Sequence, residues 1–524
     1  MKVLVSDPLA QDGLDILRRS FEVDVKTGLK EDELVNIIGD YDALVVRSGT
    51  KVTARIIEAG KKLQVIGRAG VGVDNVDVEA ATRCGIVVVN APDGNTIAAA
   101  EHTIALMLAL ARHIPQAHAS LVLQRKWDRK SFMGIEITGK TLGVIGLGRI
   151  GREVAQRGRG LGMRVLGYDP YVGGDLAASL GIEICALDDL LAQSDFVTIH
   201  VPKTPATVGM IGRRELGLMK PTARLINCAR GGIVDEAALQ EALTAGKLAG
   251  AALDVFANEP PFDSTLLDSP NLIATPHLGA STHEAQVAVA YDVAQQVVDI
   301  LSGRPATHPV NAPVIPAEVQ AQLLPFCELA ERLGRAARQL GEKPLNQVRI
   351  TYAGQLAGMD TDLLRALVIK GLFQDVVESR ITPVNAMLVA RDHGLRVTEE
   401  KTGDAGHFAN LITLTFDDAG KERTLSGTII HGEPFAVRVD EYWLDFTLRG
   451  YQLLAFHRDR PGMIGAVGQV TAKHDINIAF MGLGRLQPRG DALMALTFDE
   501  YAPAEVLEEI KQIPDIYSVR LLQL

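Results

Sequence analysis

The stretch TLGVIGLGRIGREVAQ, Thr141 to Gln156, restricts this chain more than any other. Leu142 to Ile145 has the length and apolarity of a buried strand, and Ile150, Val154 and Leu161 then recur at helical spacing. Between them lies Gly146-Leu147-Gly148-Arg149-Ile150-Gly151. Gly146 permits a tight turn, Gly148 clears room for a group pressed against the backbone, and Gly151 lets helix and sheet approach. The helix N-terminus is left facing an anion such as a pyrophosphate. Glycine-rich turns are common, but here "RVLGYDP" supplies Asp169 after the next strand, about 20 residues on. A carboxylate there accepts from ribose hydroxyls and repels a 2′-phosphate, so NAD is the expected cofactor.

The same alternation of strand and helix runs from the start to about residue 300. "KVLVS", "EVDV", "DALVVRS", "LQVIGRAG" and "GIVVVNAP" read as strands, followed by the helix "TIAAAEHTIALMLALARHI". The pattern restarts with "KTLGVIGLGRIG", "RVLGYDP", "FVTIHVP", "ARLINCAR", "LAGAALDV" and "NLIATPH". The expectation is an α/β fold with two Rossmann-like, doubly wound parallel-sheet lobes and a crevice between them. With 524 residues there is chain for three or four domains. Prolines between His308 and Pro316 read as a linker. Residues 317–445 then read as an intervening α+β domain that opens with a helix over 319–340. Residues 451–524 read as β-α-β-β-α-β, a ferredoxin-like unit.

Composition excludes several classes. A net charge of −11 without a basic arm argues against nucleic acid as a partner. The longest apolar helix is interrupted by Arg112 and falls short of a membrane span, and no signal peptide is legible. Cys84, Cys185, Cys228 and Cys327 form no CxxC pair, so neither a zinc site nor any other metal site is expected, and a cytoplasmic location is.

Three residues follow three successive strands: Arg230 after "ARLINCARGG", Glu259 in "AALDVFANEPP" and His277 after "NLIATPH". Each alone reads as ordinary: a surface cation, a solvated carboxylate, a loop histidine. At equivalent strand ends they share one rim beside the dinucleotide. Oxidation of a hydroxy acid needs this set. A histidine removes the hydroxyl proton, a carboxylate holds its tautomer, and a guanidinium grips the substrate carboxylate. Ser281 and Glu284 read as a capping box that starts a helix directly after His277.

The motifs "GKTLGVIGLGRIG", "INCARGG", "ALDVF…EP" and "TPHLGAST" resemble those of the NAD-dependent D-2-hydroxyacid dehydrogenases. The order of domains resembles the long-form branch that oxidises 3-phospho-D-glycerate at the entry to L-serine biosynthesis and ends in an amino-acid-sensing ACT domain. The resemblance implies Arg230, Glu259 and His277 as the catalytic trio. It implies cofactor contacts from Gly146, Gly148, Arg149, Ile150, Gly151, Asp169, Cys228, Ala229, Arg230, Asp254, His277, Gly279 and Ala280. Substrate contacts fall to Arg47, Asn75, Arg230 and Arg129 or Lys130, with Asn95 and Thr96 near the substrate or the nicotinamide. In "GRAGVGVDN", Val71 stands where some relatives have Thr, which removes a side-chain hydrogen bond to the cofactor. The substrate domain would comprise 1–96 and 285–310, hinged to a cofactor domain at 97–284. L-serine as effector would be clasped by His457, Asp459, Gly462 and Asn477, in an allosteric homo-oligomer, a dimer or tetramer. Two other readings compete: a reductase of an unphosphorylated acid such as glyoxylate or hydroxypyruvate, and a non-catalytic NAD-sensing protein.

Overall fold

The structure is a computed structural model that describes residues 1–524 except 315–316, 342–344, 378–379 and 419. The last proline of the expected linker, Pro316, lies outside the described residues.

Four sheets follow one another along the chain. The first is parallel, in the order Glu22–Val25, Lys2–Val5, Ala43–Val46, Val65–Arg68, Val87–Asn90. The second has seven parallel strands, ordered Leu272–Ala274, Gly250–Leu253, Arg224–Asn227, Phe196–Ile199, Thr141–Ile145, Arg164–Tyr168, Glu183–Ile184. Its order reverses beside Thr141–Ile145, where a doubly wound sheet opens the crevice for a ligand. Strands buried on both faces read as unbroken apolar runs, which is why ALVV and GAAL carry no alternation.

Two crossings join these lobes. The helix Thr96–Arg112 leaves the first sheet and packs on the second through Leu106, Met107 and Leu110. The helix His283–Leu301 returns and buries Val289, Val293 and Val297 against Val3, Val5 and Val45 of the first sheet. Its fit to the helix Gln11–Ser20 requires Gly13, since a Cβ there would fall 2.7 Å from Ala290 O. The N-cap is Thr282, whose hydroxyl accepts from Ala285 N at 3.2 Å, one position later than the Ser281–Glu284 box expected. Ser281 N is instead tied to Leu278 O in the preceding turn, so the chain enters the helix from Thr282.

The third sheet is mixed, in the order Arg396–Thr402, Gln347–Gly354, Asn410–Asp418, Lys421–Ile430, Glu433–Val439, Tyr442–Thr447. The helices Ala317–Leu340 and Asp362–Phe373 cover it. They cross so closely that a Cβ on Gly371 would meet Glu331 O at 2.0 Å. The fourth sheet is antiparallel, ordered Ile478–Arg485, Asp491–Phe498, Tyr451–Arg458, Ile516–Gln523, with the helices Met463–Lys473 and Ala504–Lys511 on one face. Its other face buries Leu454, Leu493, Ala495 and Leu522 in the same cluster as the third sheet, so the two share one core.

Candidate active site

Register explains how the trio comes together. Asn227, Leu253 and Ala274 end three adjacent parallel strands in register. Arg230 and His277 follow the outer two at equal offsets, and Asp254 follows the middle one. Asn227, 2% exposed, fixes the first turn by accepting from Ala229 N and donating to Arg230 O, both at 3.0 Å. Gly231 is required there, because a Cβ would overlap Phe256 O at 1.8 Å.

Asp254 fixes the second turn. It is fully buried and takes Thr275 Oγ1 at 2.6 Å, Leu278 N at 2.7 Å and Gly279 N at 2.8 Å, while His102 lies 3.2 Å away. Burial would raise this carboxyl, but the bonds from His102, Thr275 and Leu278 N outweigh it and hold it below its usual range. Asp254, expected to line the cofactor site, braces the His277 turn. His277 itself adopts a left-handed backbone, φ 56°, with its N–H donated to Asp254 O at 2.9 Å. The strand therefore cannot simply continue, and the imidazole turns out to the rim.

There, His277 Nδ1 lies 2.8 Å from Glu259 Oε2, and Glu259 Oε1 accepts from Phe256 N at 3.0 Å. Burial pushes the Glu259 carboxyl up, yet its bonds to His277 and Phe256 N prevail and keep it low. An ionised Glu259 makes Nδ1 the protonated nitrogen and leaves Nε2 free to accept a proton. Arg230 donates from Nε to Asp74 Oδ2 at 2.9 Å and from Nη1 to Ala229 O at 2.7 Å.

These residues line a cleft of about 470 Å³ between the two sheets, together with Arg47, Arg68, Asp74, Asn95, Lys203 and Ala280. Arg47 follows its strand in a turn tied by Asp7, which accepts from Arg47 N at 2.6 Å and Thr50 N at 3.0 Å. Asn75 spends both amide hydrogens on Arg47 O and Thr50 O, each at 2.6 Å. It shapes the Arg47 turn, which leaves its Oδ1 as the atom to meet the ligand expected of it. Arg129 and Lys130 are exposed and do not line the cleft, being folded into a turn on Asp128.

The dinucleotide turn has the expected shape. Gly146 has φ 92°, and a Cβ on it would meet His200 O at 2.6 Å. Gly148 has nothing within 4 Å of its Cβ position, whereas Gly151 would place one 1.9 Å from Gly146 O. The helix Arg149–Gly160 begins on Gly148 without a side-chain cap, leaving its N–H groups for a ligand. Asp169 accepts from Leu147 N at 2.8 Å, which draws the next strand end to the turn, and Ile150 is half-buried beside it. Arg149 is held by Asp93 at 2.7 Å. Asn95 Oδ1, at the cleft, and Oγ1 of the adjacent Thr96 are buried without partners. An open glycine, an uncapped helix and two orphaned polar atoms fit a dinucleotide with a carboxamide at its far end. Cys228 is half-buried against the core around Val144 and Ile226, its thiol pushed up to about 12 by burial, and Ala229 packs against the neighbouring core around Leu225 and Leu253.

A second pocket lies in the terminal sheet, lined by His457, Asp459, Gly462, Leu483 and Arg485 among others. His457 is 1% exposed, bonds through Nδ1 to Arg458 O at 2.9 Å, and has a buried Nε2 without a partner. Asn477 stands at the opposite end of the strand Ile478–Arg485, bonded to Asp499 at 2.6 Å, so one chain does not bring it to this pocket.

Residues 104–279 match the family described as D-isomer specific 2-hydroxyacid dehydrogenase, NAD binding domain, and 322–440 match the D-3-phosphoglycerate dehydrogenase intervening domain. The D-3-phosphoglycerate dehydrogenase of Methanocaldococcus jannaschii is 48% identical over 100% of both chains. This chain belongs to the D-3-phosphoglycerate dehydrogenase family. The relative from Synechocystis is 47% identical over 99% of this chain and 95% of its own. Among solved structures, the D-lactate dehydrogenase of Aquifex aeolicus complexed with NAD and lactic acid is similar, at TM-score 0.54 and 28% identity. It covers 60% of this chain and 100% of its own.

Sequence reasoning missed Arg68, Asp74, Lys203 and His102. The first three lie on the cleft, and His102 backs the His277 turn. Only "GRAGVGVD", with its paired glycines, carried a signal for Arg68 and Asp74.

Proposed function

We propose that this protein oxidises 3-phospho-D-glycerate to 3-phosphohydroxypyruvate with NAD, and that Arg230, Glu259 and His277 carry the reaction. Bound NAD supplies the acceptor for the hydride that leaves C2. The 2.8 Å contact of His277 Nδ1 with Glu259 carries this reading, because it fixes which nitrogen does the chemistry. His277 Nε2 takes the C2 hydroxyl proton, and the Glu259 carboxylate stabilises the imidazolium that forms. In the reverse direction the imidazolium returns that proton. Arg230 grips the substrate carboxylate with its fork of donors once Asp74 gives way. Closure of the lobes over the cleft excludes water and aligns the groups. Arg47 supplies charge for the phosphate, while Asn75 and Asp7 hold its turn.

We further infer that L-serine binds the pocket at His457, Asp459 and Gly462, the unpartnered Nε2 accepting from an ammonium or hydroxyl donor. Leu123, Trp127 and Met133 stand at least three-quarters exposed, 76%, 81% and 79%, which supports a homo-oligomer covering them. Four unpaired cysteines agree with a reducing, cytoplasmic setting.

Following NADH formation from 3-phosphoglycerate, with product removed and L-serine present or absent, tests the reaction and the effector together. His277→Ala should lower turnover by about 10²–10⁴-fold. A variant with full turnover would overturn the mechanism, and an unchanged rate in L-serine would remove the effector assignment.

A further inference from the structure

His102 belongs to the helix Thr96–Arg112, one of the two crossings between the lobes. That helix brings His102 Nε2 to 3.2 Å from Asp254 Oδ1 and 3.3 Å from Thr275 Oγ1. Ala99, one turn earlier, lies 4.0 Å from where a Cβ on Gly279 would fall, so the helix packs directly on the turn after His277. His102 itself is not among the residues that line the cleft.

The hydrogens in this group can be assigned. The Thr275 hydroxyl donates to Asp254 Oδ1 at 2.6 Å, which uses its one hydrogen. Both atoms facing His102 Nε2 are therefore acceptors, and Nε2 carries a hydrogen. The remaining donors to Asp254 are Leu278 N, to Oδ1, and Gly279 N, to Oδ2. Thr275, Leu278 and Gly279 all belong to the segment that contains His277, and they move with it. Among the described residues, His102 is the side chain outside that segment that reaches the carboxylate. Burial would raise the Asp254 carboxyl, and the bond from His102 leads the influences that lower it. The carboxylate is thus gripped from the crossing helix on one side and from the His277 turn on the other.

We propose that His102 is a positioning residue for proton transfer: by donating from Nε2 to Asp254 and Thr275, it locks the turn that holds His277 against Glu259. This rests on the function proposed above. His102 acts through the turn and touches neither substrate nor cofactor, so its loss should fall on kcat and spare KM.

The test is steady-state oxidation of 3-phosphoglycerate by the full-length protein, with product removed. His102→Leu keeps bulk without a donor and should lower kcat by about ten- to hundredfold, the cost of misplacing a reacting group by about 1 Å. KM for NAD and for 3-phosphoglycerate should stay within about twofold, as for an interaction that matters only in the transition state. His102→Gln restores an N–H donor and should bring kcat back to within about threefold of wild type. His102→Phe, of similar ring volume and also without a donor, serves if the leucine variant does not fold. Wild-type kcat in the leucine or phenylalanine variant would overturn the proposal. So would a glutamine variant no better than leucine, which is the result for a side chain that only fills space, or a loss confined to KM. A wild type that forms no NADH would refute the dehydrogenase reading and this proposal with it.

Discussion

Asp74 holds Arg230 in the place a substrate carboxylate would take, and it is 58% exposed, so the pair is weak. Asp74→Asn should lower KM for 3-phosphoglycerate by up to about fivefold with kcat unchanged. Steady-state kinetics decide this, and a raised KM would mean that Asp74 contacts the substrate. The trio was legible because its residue types and strand-end positions are both written locally. Arg68 and Asp74 were not, since one reads as a strand-end cation and the other as a loop acid. Their meaning depends on Arg230 arriving from the other sheet over Gly72. The part Asn75 plays in the turn was hidden for a related reason: its amide hydrogens go to Arg47 O and Thr50 O, and only the folded turn shows it.

At the level of elements, the dinucleotide turn depends on the close approach at Gly151. Gly151→Ala would press a methyl into Gly146 O, where overpacking costs about 1–3 kcal/mol. Displaced onto the turn, that is about a ten- to hundredfold loss of NADH affinity. A fluorescence titration measures it, and an unchanged Kd would show that the turn yields elsewhere. Both parallel sheets were legible from apolar runs bounded by glycine and proline. The helix Asp362–Phe373 was not, because DLLRALVIKGLF is apolar on nearly every side and offers no period. The short edge strand Glu183–Ile184 escaped for lack of length.

Across the whole molecule, the region after residue 317 is fastened to the first lobe. Arg380 donates to Leu63 O at 3.0 Å, Thr382 Oγ1 to Gly85 O at 3.0 Å, and Asn385 Nδ2 to Arg83 O at 3.3 Å. Asn385, 1% exposed, also donates to Arg380 O and accepts from Thr382 N. Asn385→Ala strips these buried groups of partners and should cost about 1–3 kcal/mol in urea unfolding. A midpoint equal to wild type would show that the remaining bonds suffice. The order of domains could be read from the sequence, but this attachment could not, since it joins residues some 300 positions apart.

That attachment makes the protein a pair of jaws with a handle on one of them. The terminal sheet shares its core with the third sheet, which is bolted to the first jaw, while the second jaw is joined to the first by two crossings near Asn95 and Thr282. A ligand that shifted the terminal sheet would therefore act on the jaw that carries Arg47 and Arg68. The cofactor jaw would meet that shift as a change in gape, which a pair of fluorescent labels, one on the handle and one on the cofactor jaw, would read directly.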